Sequence, residues 1–160
     1  MKTTYFKELI PVLLILLFTY TATSKFLDYD KFVFQMRLAP VPLMIPLAPV
    51  LGWVVPLVET IIALVLALGY FNSRLKIWGL YASVILLSAF EIYIAIMLLS
   101  GSHLPCTCGG IISQMGWKQH LFFNGFFIIG GFLTIKYSEK YRPSKPEKLG
   151  FDNHKDLSRA

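Results

Sequence analysis

Four long apolar runs, separated by short polar breaks, restrict what this chain can fold into more than any other feature. They cover about residues 8–24, 47–71, 77–100 and 121–137. A helix needs roughly 20 such residues to cross a hydrocarbon layer of about 30 Å, and strand-sized runs would be half as long. Composition points the same way. Of 160 residues, 56% are hydrophobic and 15% charged, too few charges to coat a soluble surface. The charges are also segregated into the N-terminus, the breaks, and a tail from Lys136 onward, whereas a soluble helical protein would intersperse them. The expected fold is an all-α, integral membrane four-helix bundle over residues 1–137. Residues 138–160, with Pro143, Pro146 and many charges, are expected to form a mobile cytoplasmic tail.

The first run is short, and Lys2 and Lys7 precede it, as in a cleaved signal peptide. Thr21-Ala22-Thr23 is a poor cleavage triplet because threonine is bulky there, which favours a retained helix. The breaks carry turn chemistry: Asn72-Ser73-Arg74, then Gly101-Ser102 with Pro105. Four spans put both termini and the Asn72 turn on one side. That side holds Lys2, Lys7, Arg74, Lys76 and the basic tail, against Lys25, Lys31, Arg37 and Lys118 opposite. Basic residues stay inside, so the expected setting is a bacterial inner (cell) membrane with both termini cytoplasmic. Contact with membrane lipid accounts for the net charge of +6, and no nucleic-acid partner is implied.

The first loop mixes aromatics and charges over 26–34, which suits a helix in the membrane interface. Pro40, Pro42, Pro46 and Pro49 then end any helix and lead the chain into the second span. Trp53, Trp78, Trp117 and Lys118 read as interfacial anchors.

The chain's two cysteines, Cys106 and Cys108, sit in the loop after the third span, on the side where disulfides persist. A disulfide across one intervening residue closes almost no loop, so it stabilises little. Strained rings are readily reduced, which suits a reversible dithiol that passes electrons to or from a partner. Two other readings remain open. His103, Cys106 and Cys108 form a candidate soft-metal set, completed by His120 or Met115. Alternatively the cysteines are inert, in a scaffold subunit that binds a partner complex.

Acids within the spans give an independent indication. A charge at bilayer depth costs about 3 kcal/mol or more, so such residues face a bundle interior or a polar pathway. Counted from the outer span ends, Glu59 lies about 18 Å deep and Glu91 about 12 Å deep. Lys25 has a stem long enough to reach Glu91, and that pairing is expected. Glu59 has no obvious cation at its depth. Its candidate partners are Thr60 or a tyrosine. Glu59, Glu91, Lys25 and His120 form the candidate buried polar group or proton relay beneath the dithiol, with a quinone as a candidate electron acceptor. His120 and Asn124 share one side of the last span, although His120 also reads as an interfacial anchor. Gly125, Gly130 and Gly131 suit close helix packing.

Four spans, Ser24-Lys25 leaving the first, a glutamate in the second, and Cys106-Thr107-Cys108-Gly109 after the third together resemble the MauE branch of the MauE/DoxX membrane proteins. The resemblance extends to about Tyr137. Members often have an aromatic between the second cysteine and the glycine, whereas here Gly109 follows Cys108 directly. The family is associated with maturation of methylamine dehydrogenase through disulfide formation in its small subunit. The resemblance implies a redox-associated membrane protein, a possible thiol-disulfide oxidoreductase, working with a thioredoxin-fold or other periplasmic redox protein. It does not imply methylamine as the substrate.

Overall fold

The computed structural model describes residues 2–39, 43–99 and 117–140, all within or beside helices. The helices are α1 (Lys2–Leu27), α2 (Tyr29–Arg37), α3 (Met44–Leu68), α4 (Ser73–Leu99) and α5 (Trp117–Lys140). Four of them contain stretches long and apolar enough to cross a membrane: Glu8–Leu27, Met44–Leu68, Ser73–Leu99 and Gln119–Ser138. The fold is a helical bundle, as the apolar runs require.

Each long helix turns one stripe inward and leaves the rest apolar and exposed, the pattern of a bundle solvated by lipid. On α1 the stripe is Ile10, Leu14, Leu17 and Phe18; on α3 it is Ile62, Ala63 and Leu66. Leu80 and Leu87 of α4 join them, with Phe127 and Ile135 of α5. Outward positions such as Leu16, Ile61, Ile85 and Phe122 are exposed. Buried hydroxyls bond to their own helices: Ser83 donates to the Gly79 carbonyl at 2.7 Å and Thr134 to Gly130 at 2.8 Å. Neither hydroxyl is then left to seek a partner across lipid.

Neighbouring long helices run antiparallel. Gly79 of α4 packs on Leu66 of α3, and Gly69 meets the backbone of Lys76 across the intervening turn. Gly130 and Gly131 of α5 let Ile10 of α1 and Val84 of α4 approach, since a Cβ at either would sit 2.9 Å from those side chains. Gly125 departs from the expectation, because a Cβ there meets nothing within 4 Å. Gly125→Ala should therefore leave the bundle intact and raise its unfolding free energy by up to about 1 kcal/mol through helix propensity. Thermal loss of helical circular dichroism in detergent measures this.

The second span begins earlier than hydropathy suggests, and its prolines lie inside it. Pro46 is in the first turn of α3, where backbone N–H groups have no intrahelical partner. Pro49 and Pro56 are interior. This early start matters because the first half of α3 packs on α2. Phe32, Val33 and Met36 of α2 bury against Ala48. Tyr29 Oη donates to the Pro49 carbonyl at 3.0 Å, and Val33 lies over Gly52. Trp53, which is exposed, stacks with Phe26 and Tyr29 at 5.9 and 5.3 Å. So α2 prolongs α1 along α3, and the C-terminal turn of α1 reaches the middle of α3, where Phe26 meets Trp53.

Candidate functional site: a buried ion pair in an apolar cavity

That offset decides which charges meet. Side chains on a helix lean toward its N-terminus. On antiparallel helices, Lys25 of α1 and Glu59 of α3 therefore lean toward each other. Lys25 Nζ donates to Glu59 Oε1 at 2.6 Å, with both side chains buried. The expected Lys25–Glu91 pair is not formed. Counting depth from the span ends assumed that α1 and α3 end at one plane, whereas α3 runs past α1 alongside α2. Thr60 is not the partner of Glu59 either, since its hydroxyl donates to the Pro56 carbonyl at 2.8 Å.

Aromatic faces wall the ammonium. Lys25 Nζ lies 5.6 Å from the Phe32 ring centroid and 5.4 Å from that of Phe90. Such a desolvated cation gains electrostatically from the ring quadrupoles. Thr21 borders the carboxylate, though its hydroxyl donates to the Phe18 carbonyl at 3.3 Å. Glu59 Oε2 has no hydrogen-bond partner.

The pair lies on the wall of a cavity of about 290 Å³. Its lining comes from the second half of α1, from α2, from α3 between Met44 and Glu59, from the second half of α4 and from the start of α5. All of these lie at one end of the bundle, the end from which residues 100–116 connect α4 to α5. Leu51, Val55, Leu86 and Phe123 make it apolar. His120 and Asn124 also line it. They are 8% and 4% exposed, so His120 is buried in the bundle and not an interfacial anchor. His120 stands close enough to Lys25 to feel its charge, yet its Nδ1 is unpartnered. Glu91 of α4 faces Asn124, and neither Glu91 Oε2 nor Asn124 Nδ2 has a partner at hydrogen-bond distance.

Of the residues singled out in sequence, the structure thus brings Lys25, Glu59 and His120 to one cavity, with Glu91 beside Asn124. His103, Cys106, Cys108 and Met115 lie outside the described residues. Thr21, Phe32 and Phe90 were missed, although Thr21 precedes Lys25 by one helical turn on the same inward stripe.

Together, the bundle of four membrane-length apolar helices and the charges buried among them define a multi-pass membrane protein. The chain belongs to the family described as methylamine utilisation protein MauE, whose model matches residues 3–136. The matched stretch includes the ion pair, the cavity and both cysteines. No curated protein and no solved structure matches the chain.

Proposed function

We propose that this protein exchanges disulfides with an extracytoplasmic partner through Cys106 and Cys108. A partner thiolate attacks the Cys106–Cys108 disulfide, forming a mixed disulfide and releasing one cysteine as thiolate. The partner's second thiol then displaces the other. The partner leaves oxidised, and this chain is left holding two thiols. The partner class is a thioredoxin-fold or other periplasmic redox protein, with both termini of this chain in the cytoplasm and residues 100–116 outside.

One observation carries the reading: the segment bearing the only two cysteines springs from the end of the bundle that holds the cavity and its buried ion pair. A purely inert anchor has no use for a buried cation, acid and imidazole. The charge asymmetry supports the orientation, and membership of the MauE family supports the link to maturation of another protein.

Single Cys106→Ser and Cys108→Ser variants test it in intact cells. The variant that keeps the cysteine bonded to the partner in the mixed disulfide should accumulate a reductant-sensitive adduct on non-reducing gels, and the variant that lacks that cysteine should give none. If neither variant gives an adduct and partner maturation proceeds normally, the protein is a scaffold. Labelling of the reduced thiols by a membrane-impermeant alkylating reagent checks the orientation, and a need for cytoplasmic access would reverse it.

A further inference from the structure

The cavity is large, apolar and incompletely satisfied. At about 290 Å³ it approaches the smallest pockets that take small molecules, and it far exceeds the space one water needs. Three side chains on its wall carry polar atoms without partners: Glu59 Oε2, His120 Nδ1 and Asn124 Nδ2. Buried atoms of this kind each cost about 1–3 kcal/mol unless something bonds them.

The ligand's chemistry follows from what the wall offers. Lys25 and Glu59 neutralise each other, so the site has no spare charge for a phosphate or fatty-acid headgroup. A hydrocarbon or sterol ring would fill the space and leave the polar atoms unpaired. The Asn124 amide nitrogen can only donate, and the His120 nitrogen donates or accepts according to tautomer. These two residues are one turn apart on α5, about 6 Å along the axis. Their side chains leave the same face of α5, so one flat ring lying in the cavity can meet both. Phe32, Phe90 and Phe123 give the ring flat apolar faces. Ala89 lines the cavity and is also exposed on α4, which leaves a route for a hydrocarbon tail into the surrounding lipid.

We propose that this cavity binds the headgroup of a lipid-soluble quinone. Ring carbonyls accept from Asn124 and His120, and in the reduced form a ring hydroxyl donates to Glu59. The purpose of the site rests on the disulfide-exchange reading above. When the Cys106 and Cys108 thiols close to a disulfide they release two electrons and two protons. A quinone takes up both and becomes the quinol, which restores the oxidised pair for the next partner.

Titration of the full-length protein in nanodiscs with a decyl-substituted benzoquinone, followed calorimetrically, tests the site. Saturable one-to-one binding is expected for the wild type and, unchanged, for the Cys106→Ser/Cys108→Ser double variant. Asn124→Leu, which removes a donor, and Val55→Phe, which fills the cavity from an apolar wall, should each weaken binding at least tenfold. Their melting temperatures show whether the bundle is intact. Uptake that does not saturate, or equal affinity in Asn124→Leu, Val55→Phe and wild type, overturns the proposal. The cysteine-free variant separates the two readings. Quinone binding there, with no adduct from either single cysteine variant in cells, sinks disulfide exchange and keeps the site, whereas adducts from a single variant without quinone binding sink the site alone.

Discussion

Lys25→Met and Glu59→Leu, made singly, should each destabilise the bundle by roughly 3–5 kcal/mol, and the combination Lys25→Met/Glu59→Leu should recover most of that loss. The pair is buried on both sides, with a 2.6 Å contact. Removing one member leaves the other charged, desolvated and alone, which costs far more than the pair contributes over an apolar replacement. The two phenylalanines near Lys25 soften the penalty for the orphaned cation but offer nothing to an orphaned carboxylate. Unfolding in mixed micelles with increasing denaturant gives the coupling energy by double-mutant cycle. Strict additivity would mean that Lys25 and Glu59 do not act as a pair. Glu91→Gln provides the control, since it should show no coupling to Lys25→Met.

Gly69→Ala should be the most disruptive small change at the opposite end of the bundle. A Cβ at Gly69 would lie 2.6 Å from Lys76 Cα and 2.7 Å from Lys76 N. Both are backbone atoms, so no rotamer change relieves the clash and the α3–α4 turn must open. Overpacking of this kind typically costs about 1–3 kcal/mol, and more where backbone must move. Comparison with Gly125→Ala makes the test internal. The same substitution on the same scaffold should be stabilising at one glycine and strongly destabilising at the other, read as opposite shifts in melting temperature. Matching shifts at both would show that the α3–α4 approach is looser than these distances.

The bundle was legible in the sequence because lipid imposes a coarse rule: apolar length alone marks a span. Span ends were less legible, because hydropathy does not see that Pro46 is harmless in a first turn. The inward position of Lys25 and Glu59 was present in the pattern. Leu14, Phe18, Thr21 and Lys25 follow one helical stripe, as do Gly52, Pro56, Glu59 and Ala63, so each charge continues a buried face. Which acid Lys25 would meet was not present there. That depends on how far α3 runs past α1, and the offset is set by the seating of α2 on Ala48 and Gly52, a tertiary fact without a local signature. His120 illustrates the same limit. Beside Trp117 and Lys118 it has the composition of an interface, but the bundle places its ring inside.

The contact between Lys25 and Glu59 has a mechanical side as well. Near the other end of α1, Glu8 accepts from Lys76 of α4 at 2.6 Å. The two contacts lie about 25 Å apart along α1 at 1.5 Å per residue. Sliding α1 by a single turn, about 5.4 Å, would break both at once. The first helix is thus pinned in axial register at two latitudes, against two different neighbours. Any rearrangement of the bundle that preserves these pins must tilt or rotate the other helices around α1, which serves as the fixed post.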